Sequence, residues 1–600
     1  MIPTSSSPPF PDGPDPLEPF LTAAVEGLIA GLESMHVPLG RDAVESSVDA
    51  DGGPEGDFAF PAHRAAAAAK VRPDDFAGRL AAAFPANPLL ASVTAKGAYV
   101  NVAVNPRELA AATLGRILAR RERYGHTDAL GPTTCIEHTS ANPTGPFHIG
   151  RVRNAIIGDT LARVVRAAGA PATTQYYVDD MGRQAALITW VWTKPPAEWP
   201  EPIRRAAEEA ELPSTKPDAE FGRIYPAASA YLKTHPDAQS EVADLVRQIE
   251  SGSPPPRHRE LAQKILDGML ASLERLGIRF DEFVWESDLL RDGSVEQAIE
   301  QLRRAPHAFQ EENGAWAIDT SSYGLPKEAA RVIFQRQNGT SLYATRDVAY
   351  HLKKFARFES LVDVLGQDHQ LHARTLDAFL AEIGETRRPT YLIYQDITVP
   401  EGGRMSTRGG SAVWLDQLLG EAVERARREV LQRREDLTEA DIERIAEAVA
   451  TGAIRYHVVR VAPEKPVVFR WEDALSFEGR SGPFVQYSYA RAASVLRKAN
   501  ADRGPYPFDP ARLAHPEEIA MIRVLARLPR TVVRASRTMH VHALAGYAHD
   551  VADQFNRFYH AVPVIRSGAE REGRIALVAA VRQTLGNALD LLGIARLETM

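Results

Sequence analysis

Ile136-Glu-His-Thr-Ser-Ala-Asn-Pro-Thr-Gly-Pro-Phe-His148-Ile-Gly150-Arg151-Val-Arg-Asn154-Ala-Ile-Ile-Gly-Asp159 is the stretch whose reading decides the fold. Thr133 to Thr139 reads as a strand. Ser140 to Pro146 is a turn rich in proline and glycine. Ile156, Ile157, Leu161, Val164 and Val165 then recur at helical spacing, and Gly169 and Pro171 stop that helix. Thr173 to Val178 is a second strand. Strand, helix and strand at these lengths make a βαβ unit. The pattern returns further on, with a strand at Leu361 to Leu365, a turn at Gly366 into a helix ending near Gly384, and a strand from Tyr391 to Val399.

The turn between the first strand and its helix carries His148, Gly150 and Pro146. Free N–H groups and the helix dipole aim at that place, so it suits the phosphates of a nucleotide. Gly150 allows a close approach to the backbone. His148 can donate to a phosphate oxygen as charge develops there. A His-x-Gly turn alone is a weak signal, and by itself it is better read as a structural loop.

Around this unit, the 600 residues are too many for one core. Apolar residues make up 44% and charged residues 25%, as in globular chains, and the net charge of −8 excludes a wholly basic nucleic-acid coat. A single cysteine, Cys135, rules out intramolecular disulfides and Cys-rich zinc sites and fits a reducing compartment. No apolar run approaches a membrane span, and Met1 to Pro16 lacks the pattern of a secretory signal. The sequence therefore predicts a cytoplasmic protein with a disordered tail at 1–16.

The 136–159 stretch closely resembles the signature of class I aminoacyl-tRNA synthetases, and in particular of arginyl-tRNA synthetases of the archaeal type. A second stretch in the correct order, Gly402-Gly-Arg404-Met405-Ser406-Thr407-Arg408-Gly-Gly410, resembles the family's Lys-Met-Ser-Lys-Ser loop in its Met-Ser-Thr-Arg form. Three departures stand out. Arg151 occupies the place of the signature's last His, Arg404 and Thr407 replace the loop lysines, and Gly145 stands where some members carry a lysine. The electrostatic role thus falls to Arg408 and Arg404.

The resemblance implies a multidomain chain. An N-terminal α+β domain (17–125) contacts the tRNA, and an α/β Rossmann-like catalytic domain (126–410) carries a polar, proline-rich insertion at about 192–260. A helical connecting and stem-contact region (411–480) leads to an all-α anticodon-binding bundle (481–600). The implied activity is that of an arginine–tRNA ligase that forms arginyl-adenylate from L-arginine and ATP with Mg²⁺ and passes the acyl group to tRNA(Arg). No tightly bound metal or organic cofactor, no membrane and a monomer go with it.

By the same resemblance, His148, Gly150, Arg151, Arg404, Ser406 and Arg408 serve catalysis. Glu137, Ser140 and Asn142 hold the polar backbone of arginine. Glu286 and Asp347 bind its guanidinium, with Tyr343 packed against it. Pro146, His148, Gly150, Asn154, Gly366, Asp368, His369 and Met405 meet ATP. Asn101, Tyr487, Arg491 and Met600 meet tRNA. Taken singly, Asp347 reads as a helix N-cap and Glu286 as a surface carboxylate. Asp180 and Gln184, from Tyr176-Tyr-Val-Asp-Asp-Met-Gly-Arg-Gln184, fall at the rim. His369 and His372 lack a third ligand, so a zinc site is rejected. Two rival readings remain, another synthetase of the class and a tRNA-binding paralogue without catalysis. The absent lysines motivate the second, and the retained His148, Gly150 and carboxylates argue against it.

Overall fold

The computed structural model describes residues 13–50, 53, 55–209, 216–398, 413–434 and 436–600. Arg404, Met405, Ser406 and Arg408, like residues 1–12 of the expected tail, lie outside the described residues.

The N-terminal unit is a three-stranded antiparallel sheet, with Tyr99–Val104 between Phe58–Pro61 and Leu90–Lys96. The helices Glu18–Ser34 and Pro73–Ala83 cover it, burying Val25, Leu28, Phe76 and Leu80. Residues 13–16, expected to be tail, are instead attached. Arg116 donates to the Gly13 carbonyl at 2.9 Å, and Asp15 pairs with Arg530.

The centre is a five-stranded sheet in which every neighbouring pair is parallel. Its strands are β1 (Thr134–Glu137), β2 (Ala172–Val178), β3 (Glu282–Trp285), β4 (Ser360–Gly366) and β5 (Thr390–Tyr394), in the order β5-β4-β1-β2-β3. Strand order reverses between β1 and β4. In open parallel sheets, ligands bind at the carboxyl ends beside such a switch point. Helix α1 (Ile149–Ala167) starts there. The other helices that frame the crevice are α2 (Gly182–Trp192), α3 (His258–Arg275), α4 (Tyr343–Arg357) and α5 (Gln370–Glu382).

The insertion is helical, at Glu201–Glu208, Phe221–Thr234 and Pro236–Glu250. It builds its own core with α2 from Leu187, Trp190, Ile224, Leu232, Val242 and Ile249. Its apolar residues form narrow stripes among charges, and Pro226 lies inside a helix, so it reads as polar connection in the sequence. A small antiparallel sheet (Ala308–Gln310, Trp316–Asp319, Arg331–Gln335) precedes α4. Its strands are too short to announce themselves.

After residue 413 the chain is helical apart from Val467–Val468, which pairs with Ile397–Thr398. Two buried arginines lock the catalytic unit to these helices. Arg153 donates to the carbonyls of Lys465 (2.7 Å) and Ala462 (2.9 Å). Arg455 pairs with Asp159 and donates to the carbonyls of Leu276 (2.7 Å) and Leu592 (2.8 Å). Next to Leu592, Gly593 has φ +68°, and a Cβ there would lie 2.1 Å from Arg455. The bundle can approach only because that position lacks a side chain.

Candidate active site

His148 is the N-cap of α1. Its Nδ1 accepts the Gly150 N–H at 3.0 Å. That bond leaves the proton on Nε2, which makes the exposed ring a neutral donor. Burial, then Arg151, lowers the imidazole pKa and keeps it neutral. A Cβ on residue 150 would lie 2.9 Å from His148 Nδ1, so the capping geometry itself calls for glycine. The turn is braced by the chain that re-enters at Val413. The Ile149 N–H donates to the Val413 carbonyl (3.0 Å) and the Leu415 N–H to the Phe147 carbonyl (2.8 Å). The Arg151 N–H donates to the His148 carbonyl (3.0 Å), while its side chain makes no hydrogen bond or ion pair among the described residues, which leaves a partly exposed cation beside this turn. Gly366, Asp368 and His369 stand at the end of β4 and the start of α5, with both side chains solvent-accessible.

Two residues assigned to ATP are corrected. Asn154 is buried, accepting the Thr139 N–H (2.7 Å) and donating to the Val364 carbonyl (2.9 Å), so its amide ties α1 to β4. Pro146 is also buried, and its ring fills the space where a Cβ on Gly222 would sit, at 2.9 Å.

Below the crevice runs a chain of alternating charges. Glu137 Oε1 accepts from Ser140 Oγ (3.1 Å) and Oε2 from Lys354 Nζ (2.9 Å). Lys354 also donates to Asp363 (2.8 Å), whose other oxygen meets His351 Nε2 (2.9 Å). His351 Nδ1 lies 3.0 Å from Asp347, and Asp347 reaches His372 Nε2 at 2.8 Å. Burial and Lys354 disfavour a charged His351, yet Asp347 and Asp363 outweigh them, and its pKa is raised to about 10. Burial would raise the Asp347 carboxyl, but His351 and His372 reverse this and hold it far below the usual range. Asp347 is no N-cap. That position is Leu342, and Asp347 lies one turn inside α4. Ser140, at φ +37°, is bent so that its Oγ serves Glu137 and also accepts the Tyr177 N–H (3.0 Å). Among the described residues, Glu137, His351 and Asp363 are the grouping of metal-ligand type, and the Lys354 ammonium already bonds two of them.

The third part lies where β2 and β3 end. Glu286 is no surface carboxylate. It is buried against Arg346 of α4, whose side chain is only 1% exposed. Burial first, then Asp179, pushes the Glu286 carboxyl well above the usual range, with Arg346 opposing. Its Oε2 has no hydrogen-bond partner. Asp179 accepts from Asn142 Nδ2 (3.0 Å), which also donates to Gln184 Oε1 (2.9 Å). The Tyr343 ring, 52% exposed, lies 4.7 Å from the Arg346 guanidinium, with its hydroxyl over Gly182. Asp180 is not at the rim. It is buried and accepts from the Ser287 N–H (2.9 Å) and hydroxyl (2.7 Å), anchoring the helix that begins at Glu286.

Sequence reasoning missed Arg346, His351 and Lys354. The signal was available, because Asp347, His351 and Lys354 stand at i, i+4 and i+7, a charged stripe on one helix face. That face is buried in α4.

The groove at the far end of the bundle has a volume of about 550 Å³ and is lined by Tyr487, Arg491, Tyr559, Arg497, Arg434 and Met600, among others. The Arg491 guanidinium lies 4.8 Å from the Tyr487 ring and 5.2 Å from the Tyr559 ring. Asn101, by contrast, is 7% exposed on the central strand of the N-terminal sheet. It is not presented to a partner, and the exposed ring nearby is Tyr99.

The sequence model described as "tRNA synthetases class I (R), catalytic domain" matches residues 113–471, and "DALR anticodon binding domain" matches residues 485–600. The arginine–tRNA ligase of Methanocella arvoryzae is 40% identical over 534 residues, covering 88% of this chain and 91% of its own. That of Methanothermobacter thermautotrophicus is 41% identical over 510 residues, covering 85% and 87%. Among solved structures, Thermus thermophilus arginyl-tRNA synthetase superposes with a TM-score of 0.78 at 28% identity, covering 96% of this chain and 100% of that one.

Proposed function

Because this chain belongs to the class I arginyl-tRNA synthetases, we propose a specific division of labour for its residues in the arginine–tRNA ligase reaction. The observation that carries it is the grouping of Asp179 and Glu286 beside the exposed Tyr343 ring, with one Glu286 oxygen unpartnered, next to the network that holds Glu137 and Asp347. A cationic, planar guanidinium with five donors satisfies such a set, and an ammonium does not.

The α-ammonium group of arginine meets Glu137 and Asn142, and Ser140 holds Glu137 in place. Its guanidinium lies on Tyr343 between Asp347 and Glu286. ATP lies across the switch point with its base and ribose toward Gly366, Asp368 and His369. Its phosphates face the α1 N-terminus, where the His148 Nε2–H donates and Arg151 adds charge. The carboxylate of arginine attacks the α-phosphorus in line and pyrophosphate leaves. A ribose hydroxyl of the terminal tRNA adenosine then takes the acyl group and AMP leaves. No side chain forms a covalent bond, because positioning and charge stabilisation carry the step. Arg408 and Arg404 supply the charge that the absent loop lysines would. Val413, anchored to the turn, follows Arg408 by five positions. Mg²⁺ arrives with ATP as part of the substrate.

The tRNA anticodon is read in the groove of Tyr487, Arg491 and Met600, which joins aromatic faces to basic side chains as single-stranded RNA requires. The family resemblance supports a monomer working in the cytoplasm, where charged tRNA is used. The buried Glu286 and the network of Glu137 and Asp347 support catalysis over the paralogue reading. The test is arginine-dependent ATP–pyrophosphate exchange with and without tRNA(Arg), with lysine and glutamine as controls. Exchange with arginine alone among the three is expected. No exchange while tRNA still binds would favour the paralogue.

A further inference from the structure

The helical insertion ends at Glu250, and that residue does not face solvent. Its side chain is 5% exposed, and its two oxygens reach two arginines of the catalytic unit. Oε2 accepts from Arg336 Nη1 at 2.6 Å, and Oε1 lies 3.8 Å from Arg346 Nη1. Arg346 has its Nε against Glu286 Oε1 and its Nη1 3.4 Å from the Ser341 carbonyl. The guanidinium of Arg346 is therefore stretched between two carboxylates, Glu286 at one end and Glu250 at the other. Glu286 keeps Oε2 without a partner. The Pro236–Glu250 helix packs on α2, which starts just after Asp179 and Asp180, so the insertion forms one wall of the arginine pocket.

From this geometry we propose that Glu250 is a positioning residue for arginine selection. It holds Arg346 in a one-point contact with Glu286, so that Glu286 Oε2 stays free for the substrate guanidinium. An arginine freed from Glu250 has one buried carboxylate left within reach, and the stable arrangement of such a pair is bidentate. Arg346 would then take both Glu286 oxygens and compete with the substrate for its own site. The insertion thus tunes arginine affinity through charge. This inference rests on the assignment of Glu286 to the guanidinium.

The test is pyrophosphate exchange in the presence of tRNA(Arg), comparing Glu250→Gln, Glu286→Gln and the double variant. Glu250→Gln is expected to raise the KM for arginine about tenfold, with the KM for ATP and kcat within about twofold, and Glu250→Asp to recover part of the loss. In the Glu286→Gln background, the same change is expected to leave the KM for arginine where Glu286→Gln alone puts it. A general packing defect would instead add to it and would move the ATP term as well. Arg336→Gln, at a partly exposed position, is the second probe if Glu250→Gln does not fold. It leaves Glu250 to pair with Arg346 alone, which draws Arg346 further from Glu286, and is expected to lower the arginine KM. An arginine KM raised by Glu286→Gln but unmoved by Glu250→Gln and Arg336→Gln overturns this inference alone. An arginine KM unmoved by Glu286→Gln overturns the pocket assignment itself.

Discussion

Lys354 is held between Glu137 and Asp363, donating to the first at 2.9 Å and to the second at 2.8 Å, with its side chain buried. It neutralises the end of β1 from one side, opposite the face on which the proposed arginine meets Glu137. Among the described residues, taking it away leaves Asp363 with His351 as its one cation and Glu137 with none. Lys354→Met should therefore cost about 3–5 kcal/mol, the usual penalty for breaking a buried ion pair from one side. A denaturation midpoint equal to that of the wild type would refute the view that this pairing is essential.

His351 gives the network a pH signature. Its folded pKa is about 10, against an ordinary value of 6.5, because Asp347 and Asp363 outweigh burial and Lys354. A pKa raised on folding means that the folded state binds the proton more tightly. The stability it supplies is fully present below about pH 6.5 and is lost as pH rises toward 10. Melting curves across that window should decline more steeply for the wild type than for His351→Gln. Parallel curves would show that the imidazole carries no charge.

In the proposed site, Asp347 faces the guanidinium of arginine. Both its oxygens meet imidazoles, and it remains partly open to the crevice. Asp347→Asn keeps the shape and removes the charge. The loss of one member of a desolvated charge pair costs about 2–5 kcal/mol, so kcat/KM for arginine should fall roughly 30- to 4,000-fold. The KM for ATP in the same exchange assay checks it, since a defect shared equally by the arginine and ATP terms would place Asp347 outside the pocket.

The parallel sheet was legible in the sequence because apolar runs, glycine turns and helical stripes agreed at every level. Its boundaries were not. The strand expected from Tyr391 to Val399 ends at Tyr394, and Ile397–Thr398 turns away to pair with Val467–Val468. The turn was legible where the signal is local, with His148 and Gly150 between a strand and a helix. The site was not legible where partners come from distant segments. Nothing near Glu286 in the chain announces Arg346, and nothing near Asn154 announces the Val364 carbonyl that uses up its amide. Asn101 failed for the same reason. An asparagine in an exposed-looking strand motif becomes buried once Phe58–Pro61 pairs alongside.

Arg408 carries the charge argument for chemistry. A donor aimed at developing negative charge is worth about 10²–10³ in rate. Arg408→Ala should slow arginyl-adenylate formation by that amount, measured as single-turnover pyrophosphate release, with arginine binding unaffected. An unchanged rate would hand the role to Arg151, the unpaired cation of the described residues at the α1 turn.

The groove of Tyr487, Arg491 and Tyr559 makes the last claim testable by affinity. Arg491 lies against both rings and also donates to Asn556, so both aromatic faces sit beside a fixed cation before any RNA arrives. Stacking of one unpaired base on such a ring is worth about 1–3 kcal/mol. Tyr559→Ala should therefore weaken tRNA(Arg) binding roughly 5- to 150-fold and leave the KM for ATP unchanged. Arg491→Gln should also lower the slope of log affinity against log salt by about one, as the loss of one phosphate-neutralising charge requires. If Tyr559→Ala binds tRNA as tightly as the wild type, the ring is a wall of the bundle, and base recognition must come from the Tyr487 side of the groove.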